Sequence, residues 1–492
     1  MEGIKNQITS PAIFKFSHSY PISVELQTDF SKNDLLSINS TVFIKDVWPS
    51  SNQIKVSARA IFNLLYKEDN NINHYESGAD LSYDITNEKI ASDNVIDIRI
   101  KISDAEMRKT QSGQNELTAT VITTVYLCQN QTFSFVENIE DAVVKKHNQE
   151  VLEFISSSST SFSVDGEKDF PYFIEKVLCH QSDLKITSKT ALLGEVVVEG
   201  EITTQFLICK NSGEKTFQTM VAPFRYEIER SDSTPLSKIL VFGDVANALF
   251  KISSQEGENG SVVTGEYLVN LRVSLFNSEQ KNFAVDGFST KYELEFDCDN
   301  FSYLTTLENT SYNHKVFGEG DVAFEEAQNV VSVISCNATL SDYEKIDSAI
   351  EISGILSCEI LCTGAENEIL IKVVRLPFTC SFKCDKEPVY INVYTKNPVV
   401  RNLDGKCIME CELTFDASLE SRNSQTFITE VNAVKERDEG VSAISVVFIN
   451  KGDDLWAVCK KAVCEESILL ANNPDLTFPA TSDKAVVVYH KL

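Results

Sequence analysis

NQIKVSARAIFNLLY from Asn52, EVVVEGEITTQFLIC from Glu195 and SAIEISGILSCEILC from Ser348 decide the fold of this 492-residue chain. Each alternates apolar with polar residues, carries one small residue near its middle (Ala58, Gly200, Gly354) and ends in an apolar run. An alternation of period two turns one face to a core and the other to water, which reads as a half-buried strand. Laid over one another on the small residue, the stretches keep register without a gap in both directions. Seven residues on stand Leu65, Leu207 and Leu361, and 23 residues back stand Leu35, Val177 and Val331. Twenty-four residues on come Phe224 and Phe378, each after a proline (Pro223, Pro377), where the first copy has Ser82 preceded by Leu81.

A second alternating segment closes each copy: LTATVITTVYLC from Leu117, TGEYLVNLRVSLF from Thr264 and CIMECELTFDASL from Cys407. Polar stretches such as RKTQSGQNE from Arg108 and SSQEGENGS from Ser253 precede these segments and read as loops. The expected fold is therefore mainly β: antiparallel β-sandwich-like units, or half-barrels, repeated in tandem, with one or two short helices per copy. Three copies are expected over 1–150 (the most diverged), 151–312 and 313–437, followed by a small C-terminal domain over 438–492. Copies joined end to end through edge strands would make the molecule elongated.

Composition bounds the function. With 72 acidic against 44 basic residues the formal charge is −28, so nucleic acid and anionic membrane surfaces are repelled at long range. The opening MEGIKNQITSPAIFKF has no charged segment followed by an apolar one, and no stretch of about 18 apolar residues occurs, so a cytoplasmic location without membrane insertion is expected. The 13 cysteines lack the dense spacing of a secreted disulfide scaffold and read as reduced thiols.

In the C-terminal stretch VVFINKGDDLWAVCKKAVCEESILLANNPDLTFPATSDKAVVVYHKL, a strand ends near Asn450, and Gly452 and Asp453 supply a turn and the N-cap of a helix bearing Leu455, Trp456, Val458 and Cys459. A second helix over about 465–471 stops at Asn472, Asn473 and Pro474, and Ala485–Tyr489 forms the closing strand. This βααβ order with its GD-x-LW…N-P pattern resembles the LysM domain. The three repeats, over roughly 15–435, resemble the SPOCS domain of endospore-forming bacteria, and the combination is similar to spore coat morphogenesis proteins of the SipL type.

The resemblance implies a non-enzymatic scaffold or adaptor in coat or envelope assembly, acting in the mother-cell cytoplasm at the forespore surface. It implies that the LysM-like domain docks a protein partner, a spore coat morphogenetic ATPase; the alternative is binding of peptidoglycan through its N-acetylglucosamine backbone. The implied groove combines Gly452, Asp453, Asp454 and Leu455, before the first helix, with Asn473, Pro474 and Asp475, after the second. Asp454 departs from the usual Thr or Ser, and Ser482-Asp483-Lys484 from the usual glycine turn. Leu455 and Trp456 also read as core, and Asp453 as a cap rather than a contact.

No phosphate loop, metalloprotease helix or nucleophile elbow is present, and the six histidines are scattered, so no catalytic residue, cofactor or metal site is expected. The pairs Cys358/Cys362, Cys380/Cys384 and Cys407/Cys411 sit within strands, where residues four apart are about 13 Å distant and cannot share one ion. Packing as small hydrophobes is the expectation, with a cross-strand metal or redox site as the alternative.

Overall fold

A computed structural model of the chain describes residues 3–28, 30–68, 71–254, 260–324, 329–364, 369–437 and 444–489. The first group of strands is β1 (Gly3–Leu26), β2 (Leu35–Ser50), β3 (Gln53–Glu68), β4 (Asn71–Thr86), β5 (Val95–Lys109) and β6 (Asn115–Ile139). The second is β7 (Val143–Phe170), β8 (Ile174–Leu192), β9 (Glu195–Lys210), β10 (Lys215–Glu229), β11 (Lys238–Ser253) and β12 (Ser261–Phe288). The third is β13 (Tyr292–Ala323), β14 (Asn329–Ile346), β15 (Ala349–Thr363), β16 (Ile369–Lys383), β17 (Glu387–Leu403) and β18 (Lys406–Glu436). The C-terminal segment holds β19 (Ile444–Ile449), α1 (Leu455–Ala462), α2 (Glu466–Asn472) and β20 (Lys484–Tyr489).

The chain is mainly β, and every strand pairing is antiparallel. Each group forms two three-stranded sheets in one order: β1-β6-β5 with β2-β3-β4, β7-β12-β11 with β8-β9-β10, and β13-β18-β17 with β14-β15-β16. The two sheets of a group enclose their own core, centred on Phe62 and Val121 in the first, Phe206 and Tyr267 in the second, and Leu356 and Phe415 in the third. The helices expected within the copies are not there: among the described residues both helices belong to the C-terminal segment. Connections such as the Asp404-Gly405 turn, both residues at positive φ, are too short for a helix, and the longer ones over 87–94 and 230–237 are made of turns. The expected divisions at 150/151 and 312/313 fall inside β7 and β13, and the turns between groups lie at 140–142 and 289–291. Of the expected loop from Ser253, residues 255–259 lie outside the described residues, as does part of the 438–492 segment at either end.

The small residue of each opening stretch has a packing reason. Gly200 faces Phe224, and Gly354 faces Phe378, across neighbouring strands. A Cβ on Gly200 would stand 2.5 Å from Phe224 Cζ and 2.6 Å from the Lys185 carbonyl oxygen, and Gly354 is hemmed in alike by Phe378 and the Thr339 carbonyl. In the first group the spacing is one residue shorter, so Leu81 rather than Ser82 faces Ala58. A smaller partner, leucine in place of phenylalanine, and a larger small residue, alanine in place of glycine, fill the same space.

No sheet is shared between groups, so they do not join edge to edge. They pack side by side about a common axis instead. Leu65, Leu207 and Leu361, which hold one position in the three copies, meet in one buried cluster. Beyond the sandwiches β6, β12 and β18 run on as ribbons paired with the first halves of β1, β7 and β13. There Phe135, Phe283 and Phe427 stack on one another with ring centroids 4.1–6.4 Å apart. Val136, Ala284 and Ile428, the next residue in each strand, form the adjoining cluster. The second group meets the first through Arg99 Nη1 donating to the Gly243 carbonyl at 2.9 Å, and the third through Lys396 and Glu201, 3.7 Å apart. The third closes on the first, where the Leu304 N–H donates to Ser10 Oγ at 2.8 Å and Ser37 Oγ to Glu359 at 2.7 Å. The result is a closed ring of three.

Candidate functional site

The C-terminal segment builds its core from one face of the β19–β20 pair and the inner faces of both helices. Ile449, Val458, Leu469, Val486 and Val488 are all buried there, with Leu455 packed partly against them. The chain enters α1 through a turn at Gly452, whose φ of 96° suits a residue without Cβ. The cap differs from expectation by one residue. Asp454, not Asp453, is the N-cap, its Oδ1 accepting the Ala457 N–H at 2.6 Å. Asp453 instead closes the preceding turn by accepting the Asn450 N–H at 2.9 Å. Two consecutive acids both suit an N-terminus, and which one caps depends on where the turn ends.

The groove residues expected from the resemblance are tied into structure. The Gly452 N–H donates to the Ala480 carbonyl, and the Ala480 N–H to the Asp453 carbonyl. Asn473 works as a clamp: its Nδ2 donates to the Leu469 and Val487 carbonyls, and its Oδ1 accepts the Val487 N–H, so α2 is stitched to β20. Pro474 and Asp475 are exposed beyond it. Among the described residues no hydrogen bond joins the 452–455 loop to the 473–475 loop.

Trp456 is neither simply core nor free. Its indole N–H donates to Asp286 Oδ2 at 2.8 Å, on the β7–β12 ribbon, and its ring lies 5.6 Å from that of Phe288. Lys460 Nζ takes the other oxygen of Asp286 at 2.6 Å, and Lys145 stands 3.9 Å from Asp454. Burial pushes the Asp286 carboxyl up, but the hydrogen bonds from Lys460, Trp456 and the Gly287 N–H outweigh it and hold the group below the usual carboxylate range. The exposed side of α1 is thereby spent on seating the segment against the ring.

What remains open is the outer face of the β19–β20 pair. Ile444, Val446 and Phe448 alternate onto it, and Tyr489 and Val487 stand opposite Ile444 and Val446 in register. Phe448 is 70% exposed, and Ile444, Val446 and Tyr489 are each just over half exposed. No described side chain covers them. Contiguous apolar surface of this kind marks an interaction site rather than a random scatter of exposed residues. Sequence reasoning missed it, although the signal was present: a run such as ISVVFI over Ile444–Ile449, apolar on both faces, is expected only of strands covered on both sides.

Apart from Cys298, which is exposed on β13, the cysteines of the third group are buried or nearly so in its core, with Cys407, Met409, Cys411, Leu413 and Phe415 forming one inward face of β18. Cys336, on β14, faces Cys358 across the strand pair, and its thiol is also hydrogen-bonded with that of Cys411. Hydrogen bonding with the Cys358 and Cys411 thiols, together with burial, holds the Cys336 thiol well above its ordinary value. Among the described residues no group of three or more His, Cys, Asp or Glu is placed to hold a metal ion.

No family model, no curated protein and no solved structure matches the chain. No helix among the described residues is long and apolar enough to cross a membrane.

Proposed function

We propose that this protein is a non-enzymatic scaffold of endospore coat or envelope assembly, similar to SipL-type SPOCS proteins, whose C-terminal LysM-like segment docks a morphogenetic protein partner. The single observation that carries the reading is the uncovered apolar face of Ile444, Val446, Phe448 and Tyr489. The thrice-recurring strand order supports the reading of SPOCS-like repeats, and the βααβ order supports LysM. The loops expected to make a sugar groove are occupied with internal hydrogen bonds, which favours protein over glycan. The partner fitting the resemblance is the spore coat morphogenetic ATPase, met at the forespore surface in the mother-cell cytoplasm.

The test uses the full chain and its Phe448→Glu variant, each presented with the purified ATPase and with insoluble peptidoglycan. Capture of the ATPase by the wild type, lost by at least tenfold in Phe448→Glu at unchanged Tm, is the expected result. Sedimentation of both proteins with peptidoglycan and capture of no ATPase would overturn it in favour of wall binding.

A further inference from the structure

Three of the cavities in the ring lie one at each junction of strand groups, and the recurring strand order makes these three comparable position by position. Each is built beside a β-bulge that falls at one place relative to the small residue of its group: at Ile44/Asp46, Ile186/Ser188 and Leu340/Asp342. The bulges turn β2, β8 and β14 toward the neighbouring group. The cavity between first and second groups measures about 290 Å³ and that between third and first about 330 Å³, whereas the one between second and third reaches about 600 Å³.

The residue just past the bulge lines the cavity in all three cases. It is Val47 at the first junction, Tyr343 at the closing junction and Lys189 at the large one. The same backbone position is thus filled by an apolar or aromatic side chain twice and by an amine once, in the one cavity that is twice the size.

Lys189 is half-buried and lines the cavity. Among the described residues it makes no hydrogen bond and no ion pair. The acid that faces it is Asp416, whose carboxylate is engaged by Ser311 Oγ at 2.5 Å. Lys185 and Lys396 bear on Asp416 as well, and Lys396 also stands 3.7 Å from Glu201. Of the other charged groups on the wall, Arg99 is already committed to Asp97 at 2.6 Å and Glu308 to Lys386, and Lys238 is exposed. Burial pushes the Lys189 amine down to about 7, with Asp416 opposing only in part. A charged amine held there has no carboxylate at ion-pair distance, and a poorly paired ammonium away from water is costly.

We propose that the cavity between the second and third strand groups is a binding site for a small anionic molecule, carrying a carboxylate or phosphate group that pairs with Lys189. Its volume suits a ligand of metabolite size. Tyr394, Asn392 and Ser418 line the same cavity and supply hydroxyl and amide groups to the uncharged part of such a molecule. In a chain of formal charge −28 such a pocket gains nothing from long-range attraction, so selectivity rests on the local pairing.

The test titrates sodium phosphate and sodium malonate into the full chain and its Lys189→Met variant, which keeps the side-chain volume, at ionic strength matched with sodium chloride. Phosphate also stabilises proteins generally by exclusion from their surface, so the comparison between the two proteins is the reading that counts. The expected result is a saturable rise in wild-type Tm of about 2 °C with one of the anions, absent from Lys189→Met. Which anion acts separates the carboxylate source from the phosphate source. Acylation of Lys189 by an amine-reactive ester, read by peptide mass spectrometry, should slow severalfold with the same anion, and needs no variant. Equal shifts in both proteins, or unchanged acylation with either anion, would overturn the proposal.

Discussion

Gly200 and Phe224 show how single residues hold this fold to its sequence. A methyl group at 200 meets a ring carbon and a carbonyl oxygen well inside contact distance, so Gly200→Ala should cost about 1–3 kcal/mol. Adding Phe224→Leu imports the Ala58–Leu81 arrangement of the first group and should recover part of the loss. Urea midpoints of the two single variants and the double give the coupling directly, and strict additivity would show that the pair does not interact. Lys189 makes a second residue-scale prediction, in pH. Its folded amine titrates near 7, while an unfolded lysine titrates near about 10.4. Between those values the unfolded chain binds the extra proton, so the contribution is present at high pH and lost as pH falls through about 7. Wild type should therefore gain stability relative to Lys189→Met from pH 7 to pH 10, as followed by thermal melts.

The ribbons are the elements that bind the ring together, and their stacked phenylalanines carry much of that load. Phe283→Ala leaves a cavity among Phe135, Phe427 and Tyr303 and should cost about 3–5 kcal/mol. Phe317→Ala, on an exposed side chain of β13, should change the urea midpoint little, and equal losses would show that the triad is not special. Strand identity within the sandwiches was legible in the sequence because one face is buried and the other wet, which writes a period of two into the residues. The ribbons were not. Their outer halves, QNQTFSFVENI in β6 and SRNSQTFITEVN in β18, are largely polar, and only Phe135 and Phe427 with their neighbours are buried, so the periodic signal is diluted. The C-terminal helices were readable from Gly452, the acidic pair and Asn473-Pro474. The seating of Trp456 on Asp286 was not, since 170 residues separate them and nothing local records the contact.

Across the whole molecule, three groups that could have been strung out as a rod are closed on themselves. Each sandwich has its own core, yet each also donates to the axial clusters at Leu65, Leu207 and Leu361 and at the phenylalanines. Removal of residues 438–492 uncovers, among the described residues, the end of the β7–β12 ribbon, and should leave a monomer whose far-ultraviolet circular dichroism keeps its strand signal and loses the small helical contribution of α1 and α2. Truncation after 289 uncovers two junction faces and takes Ile334 and Leu361, Tyr303 and Phe427, and Ile428 out of the axial clusters, and should give aggregates on size-exclusion chromatography. A well-behaved monomer from that shorter chain would show that the groups are independent beads. Closure also sets a rule on copy number. A linear array accepts a fourth module at its end with no change in the joints already made. In a ring every joint shares in the full turn, so one more module demands a new angle at all of them. Duplicating a single group here would force the circle open rather than lengthen a chain, and three is thereby a property of the joints as much as of the gene.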